Sequence, residues 1–464
     1  MSNLSGPAAG ITMTNPLDEY FRCASVPIRF GLTNELSRDA GYFQFGPGTI
    51  CFGRSSAGFR SKRPDEKLYD VGNDVVRRDE MVLLPFDPCD VANGLRGERY
   101  VISKGSGQKQ AAQKMMRDAY YSLRPFMPLG FRKHLQRLHL NGWEKIPFPT
   151  WPVDRTTDSI FEKLLVLALK SEGLKEIPFI WFWPDGAQGA AVMTHDVETE
   201  LGRVFCSELM DINDQFQVPA SFQVVPEKRY PVPQEYLREI EERGYEVNVQ
   251  DLNHDGRLFD DYQEFTRRAA KINEYGKQYR AAGFRSAILY RKQEWYGHLD
   301  FEYDMSVPNV AHLDPQRGGC CTVMPYFVGN MVELPVTLTQ DHTLFNILKD
   351  YSLDLWKRQT ELILRQHGLL NFIVHPDYII AKRPQDTYKS LLGYLSELRA
   401  ERGLWIAHPR EVSRWWKQRK EMKLERQNGG WAVEGAGKER ARIAFARLDG
   451  GELVYTLEDK MPKQ

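Results

Sequence analysis

Hydrophobic and polar positions change rhythm several times along the chain, and the changes divide it. From residue 187 onward, short apolar runs alternate with segments of helical period. Ala190–Thr194, Ala220–Val225 and Tyr245–Val249 are apolar runs of strand length, with a helix expected over Pro233–Arg243. Residues 260–282 place Phe265, Ala269, Ile272 and Tyr279 on one helical face. Phe284–Ala287 and Phe301–Val307 read as strands, and a helical region over 343–367 precedes the strand Leu369–Val374. A helix over 385–402 precedes Leu404–Ala407, and 409–426 is helical again around Trp415 and Trp416. Strands that alternate with helices imply a parallel sheet, and about seven such units fit a closed β/α barrel better than an open doubly wound sheet. No glycine-rich dinucleotide fingerprint follows the first strand, which weakens the open alternative. The expected fold is α/β, a distorted barrel of (β/α)7 type over 187–427.

The flanks follow other rhythms. Residues 1–150 read as a β-rich plus helical module, its first 15 or so residues polar enough to be disordered. Within it, Tyr42–Phe45, a Gly-Pro-Gly-Thr turn and Ile50–Phe52 read as a hairpin, and Met81–Leu84 as a strand. Over 108–140, Met115, Met116, Tyr120, Leu123, Phe126, Met127, Leu135 and Leu138 recur at helical spacing among Arg117, Arg124, Arg132, Lys133 and Arg137. A helical pair packed on the main domain and a membrane-surface helix both satisfy that pattern. A proline-marked linker and packing segment follows over 151–186, and 428–464 reads as a small β-hairpin appendage turning at Asp449-Gly450-Gly451.

Charge narrows the class. Lys+Arg and Asp+Glu both number 62, so no global pull toward nucleic acid is expected. No run reaches the roughly 18 apolar residues of a membrane helix, and the N-terminal stretch lacks the basic start and apolar core of a secretory signal. The six cysteines have no regular spacing, and Cys320-Cys321 read as buried thiols. A cytoplasmic location, with membrane association through 108–140 as an option, is the expectation.

Polar residues gather where a β/α barrel puts its chemistry, at the C-terminal ends of strands. Asp196 and Glu198 follow the first strand, Gln250, Asp251 and His254 the third, Arg285 lies in the fourth and Asp304 in the fifth, and His375 and His408 end the sixth and seventh. In extended chain, Asp196 and Glu198 share a face, so they can converge while His195 turns away toward a structural hydrogen bond. Tyr290, Trp295 and Tyr296 follow the arginine strand and are candidates for stacking on sugar rings; the run Phe179–Trp183 reads more readily as core. Asp341-His342 read as a helix cap, with His342 a further cleft candidate, and His408 divides between the cleft and a cap.

Taken in order, these segments resemble the motifs of the polysaccharide-deacetylase superfamily over about residues 187–427. Thr194-His195-Asp196-Val197-Glu198 is similar to its first motif, a catalytic aspartate followed by an acidic metal ligand. Gln250-Asp251-Leu252-Asn253-His254 is similar to its His-x-x-x-His motif, with Gln250 where the first histidine is expected. Gly283-Phe284-Arg285 carries the arginine motif, Asp304 resembles the fourth, and Ile373-Val374-His375-Pro376 resembles the last. The resemblance implies hydrolysis of N- or O-acetyl groups on a carbohydrate. Asp196 would be the base and His375 the acid, Arg285 would orient Asp196, and Asp304 would complete the catalytic set. A divalent metal, zinc by family habit, would be held by Glu198, His254 and Gln250. An amide oxygen in place of an imidazole better suits a harder cation than zinc. The expected cytoplasmic address suggests a lipid- or nucleotide-linked sugar of surface-polysaccharide synthesis. Two other readings stay open: a carbohydrate-binding or scaffold protein with a degenerate metal site, and a hydrolase of another C–N or glycosidic bond.

Overall fold

The strand Ala190–Val197 (β1) is buried along its whole length, as befits a parallel strand covered on both faces. Parallel partners continue on one side through Ala220–Val224 (β2), Glu246–Gln250 (β3), Gly283–Arg285 (β4), Tyr303–Asp304 (β5) and Met331–Glu333 (β7); Tyr326–Val328 (β6) pairs antiparallel with β7 at the end of the row. On the other side of β1 lies Leu369–Ile373 (β8), in register from Leu369 opposite Ala190 to Ile373 opposite Thr194. This is the expected order of a β/α barrel, and its closure is where the distortion lies. The chain beyond β7 runs beside β8, but the rungs are largely side chains. Asn371 Nδ2 donates to Leu334 O (2.9 Å), and Thr337 Oγ1 donates to Leu369 O (2.7 Å) while accepting from Asn371 N (3.0 Å).

Trp405–Ile406 (β9) pairs only with Ala190 and Ala191. Those residues already have β8 on one edge. The edge β9 takes is the one that β2 occupies further along, opposite Met193–Val197. The last strand is therefore set low, at the start of β1 rather than beside its end.

The helices form where the pattern puts them, with local side chains fixing their ends. Glu200–Gln215 (α1) begins after Thr199, whose hydroxyl accepts from Gly202 N, and Tyr262–Gln278 (α3) after Asp261, which accepts from Glu264 N. Gln234–Glu242 (α2) lies between β2 and β3. The expected helix over 343–367 is broken. A π-helical turn, Thr343–Leu348, stops at Lys349 in the left-handed region, and Asp354–Leu364 (α4) starts afresh after Asp350 and Ser352 cap its approach. Lys382–Arg402 (α5) ends at Gly403, also left-handed.

A computed structural model describes residues 15–23, 28–58, 60–78, 81–102, 138 and 140–458. The chain divides into two units: one takes residues 97–154 and 187–417, the other residues up to 96, 155–186 and from 418 on. The barrel occupies the first. In the second, Ile443–Asp449 and Glu452–Leu457 form the expected hairpin, which adds Ile177–Ile180 as a third strand. Gly41–Gln44 pairs with Ile50–Gly53 as expected, and Phe179–Trp183 is core. The helix expected over 409–426 ends at Glu421, and Lys423–Gln427 pairs instead with Gly430–Glu434. The basic helices expected over 108–140 lie outside the described residues, Leu138 and Leu140 aside, as does the N-terminal stretch expected to be disordered, Asn15 aside.

Candidate active site

Asp196 is the penultimate residue of β1 and Glu198 follows the strand, so the pleat brings both carboxylates to one face. Arg285, the last residue of β4, is fully buried and reaches across: Nη1 donates to Asp196 Oδ1 (2.7 Å) and Thr194 Oγ1 (2.8 Å), and Nε to Met305 O (3.0 Å). Gln250 ends β3, and its Nε2 donates to Asp196 Oδ2 and Glu198 Oε1, both at 3.2 Å. His254 Nε2 lies 2.7 Å from Glu198 Oε1. His375, two residues past β8, closes the cluster from the opposite strand, with Nε2 3.5 Å from Glu198 Oε1.

Burial raises the Asp196 carboxyl despite the Arg285 guanidinium beside it. Burial would raise Glu198 too, but His254 and then His375 hold it well below the usual carboxylate range. For His375 burial works downward and is overcome by Asp341, so the imidazole is pushed well above its ordinary value. Asp341 is fully buried and accepts from both His375 N and His375 Nδ1, each at 2.7 Å. The cleft therefore sets a carboxylate held by an arginine against an imidazole held by an aspartate. The two carboxylates are driven in opposite directions, Asp196 upward and Glu198 downward, the kind of separation that lets neighbouring groups take different protonation states.

Asp341 was expected to cap a helix. The signal for its real partner is absent from the local sequence, because the contact joins positions 34 apart. Arg229, whose Nη2 donates to His254 Nδ1 at 3.2 Å, is the second residue the sequence did not single out. Other expectations resolve differently. Asp304 is fully buried and accepts from Ser306 N and Oγ, with Glu333 and the Arg285 guanidinium as its charged neighbours. Of the aromatic candidates, Tyr296 is 1% exposed, with its ring among Phe259 and its neighbours, so it packs rather than stacks on a ligand. Trp295 packs on Phe265, under Lys292; Tyr290 is half-buried against the same core. His195 makes the structural bonds expected of it, to Val374 O (3.1 Å) and Asn213 Nδ2 (3.0 Å). His408 does not reach the cleft, since β9 is set low; its carbonyl accepts from Glu411 N and Val412 N at the start of the next helix. The His342 ring faces Tyr378 at 5.7 Å, and Tyr378 in turn faces His375 at 4.8 Å.

Asp196, Glu198 and His375 each offer a ligand atom, all within 4.8 Å of one another, which is close enough to hold a cation. The set named by the resemblance does not fit zinc in this arrangement. Gln250 turns its N–H₂ toward the carboxylates, and Arg229 takes the His254 nitrogen that a metal-bound imidazole needs for its own N–H donation.

No protein-family model matches the chain, and no curated protein matches it in sequence. Among solved structures, similar ones include a protein from Mycobacterium smegmatis assigned by name as a polysaccharide deacetylase. It is 18% identical with a TM-score of 0.41, covering 51% of this chain and 93% of that one. A probable polysaccharide deacetylase from Pseudomonas aeruginosa PAO1 is 11% identical at a TM-score of 0.39, covering 50% and 92%. PuuE allantoinase is 11% identical at 0.40, also covering 50% and 92%. Over about half its length, then, the chain is similar to structures that carry deacetylase and allantoinase names.

Proposed function

We propose that the chain is a hydrolase that removes an N- or O-acetyl group from a carbohydrate. The observation that carries this reading is the opposed pair at the barrel mouth, Asp196 held by Arg285 and His375 held by Asp341, with Glu198 between them. The motif order along 187–427 supports it. A water beside Asp196 gives up a proton to that carboxylate as its oxygen adds to the acetyl carbon. The C–N or C–O bond to the sugar then breaks, and His375 Nε2 protonates the leaving nitrogen or oxygen, so acetate and the free sugar group remain. Arg285 keeps Asp196 aimed, and Asp341 keeps the His375 proton on the side facing the cleft.

The finer substrate reading is a sugar carried on a lipid. Leu201 (70% exposed) and Val204 (64%) stand on the first turns of α1, which begins two residues past Glu198, and Ile380 (43%) follows His375 by five residues; exposed apolar side chains so near the site in the chain support this reading. Acetate release from an acetylated hexosamine, free and as its polyprenyl-linked form, tests both levels. The reading expects release from both, with preference for the lipid-linked sugar. Release of ammonia or of a cleaved glycoside, without acetate, would favour the other hydrolase readings.

A further inference from the structure

We infer that protein N–H groups hold Glu198 where a divalent metal would otherwise be needed, with the Gln250 amide as the hydrogen-bond donor and an Arg229–His254 pair set against the same carboxylate. The inference concerns the cleft of the proposed reaction and goes beyond that reading.

The first observation is a tautomer. An arginine N–H can only donate, so the contact of Arg229 Nη2 with His254 Nδ1 at 3.2 Å makes Nδ1 an acceptor. The ring proton then sits on Nε2. That nitrogen lies 2.7 Å from Glu198 Oε1, a separation at which two lone pairs would repel, although its N–H is not aligned as a hydrogen bond to that oxygen. A metal-bound histidine requires the opposite arrangement: one nitrogen gives its lone pair to the ion while the other donates its N–H to a carboxylate, carbonyl or water. Arg229 cannot accept that N–H.

The second observation is the amide. Gln250 Nε2 stands between Asp196 Oδ2 and Glu198 Oε1, 3.2 Å from each, and is attracted by both. Turned over, the amide would set its oxygen against two carboxylate oxygens, which only a bound cation could hold together. Gln250 is 1% exposed, so water does not relieve either arrangement. Both observations point the same way. The residue that departs from the family motif and the arginine that the motif does not contain each place an N–H group where a metal site needs a lone pair.

The residue roles follow. Gln250 and Arg229 are positioning residues: Gln250 spans the two carboxylates, and Arg229 acts through His254 on Glu198. Zinc titration by calorimetry on the full chain, with melting temperature read in zinc and in chelator, tests the inference. The wild-type protein should give no saturable zinc heat and no shift in melting temperature in either condition. Gln250→His combined with Arg229→Leu should gain zinc affinity by at least about 100-fold, because it restores two imidazoles and frees Nδ1. One zinc per wild-type chain, lost in His254→Ala, would overturn the inference. So would a folded double variant with no gain. If the double variant does not fold, the wild-type titration decides alone. Acetate release measured beside it separates the two proposals: release that chelator abolishes contradicts this one, whereas no release from any acetylated sugar contradicts the reaction and leaves calorimetry to settle the metal.

Discussion

Two opposed needs meet at Asp196 and His375. In the proposed reaction a base must be ionised and an acid protonated in the same cleft, and each is arranged by a different neighbour. Asp196→Asn keeps the shape and removes the base, so turnover should fall by about 10²- to 10⁴-fold, with the loss in kcat rather than in KM. Asp341→Asn removes the carboxylate that pushes His375 upward. The folded His375 should then lose its proton at lower pH, and the alkaline limb of the pH–rate profile should move to lower pH while the acid limb stays. An unchanged alkaline limb would mean that His375 is not the acid. Asp196, Glu198, His254, Arg285 and His375 were legible in the sequence because each sits at a strand end in motif order. Asp341 and Arg229 were not, since a long-range partner leaves no periodicity behind. Tyr296 was misplaced because a residue just past an arginine strand can turn into the core as readily as toward the mouth.

At the scale of elements, His195 ties β1 to the end of β8, to α1 and to α5 through Val374 O, Asn213 and the Tyr388 hydroxyl (3.4 Å). Burial lowers its pKa from 6.5 to about 3. A lowered value means that its contribution to stability is present above the unfolded pKa and lost as pH falls, here between 6.5 and about 3. His195→Gln should flatten the stability-versus-pH curve in that window; urea midpoints at pH 7 and pH 4.5 measure it, and an equal acid loss in both proteins would sink the account. The barrel seam makes a second case. Asn371→Leu leaves Leu334 O without its buried donor and should cost about 1–3 kcal/mol, again by urea unfolding. The strands themselves were legible as apolar runs. The break at Lys349 was not, because left-handed backbone at a lysine has no compositional mark. The 423–434 hairpin had its signal in Asn428-Gly429, both with positive φ, but charged residues on either side continued the helical reading.

For the whole molecule, the parallel order and the α/β class could be read from alternation alone, while the way the chain returns to the unit of its N-terminal residues could not. Residues 155–186 and those from 418 on fall in one unit with the N-terminal residues, and pairings such as Ile443 opposite Ile180 span distances that no local pattern reports. That unit carries its own half-buried acid. Burial, aided by Asp158, raises Glu162 from 4.5 to about 7. A raised value gives stability below pH 4.5 that is lost as pH climbs through about 7, so Glu162→Gln should stabilise the protein at pH 8 by about 2–3 kcal/mol and change little at pH 4. The claim on which the rest depends is that the cleft hydrolyses an acetyl group with Asp196 as base. Its most direct measurement is acetate released from an acetylated hexosamine by the wild-type protein and by Asp196→Asn at equal, folded concentrations. The account predicts release by the wild type and a fall of about 10²-fold or more in the variant; equal rates in the two, or release by neither from any acetylated sugar, would contradict it.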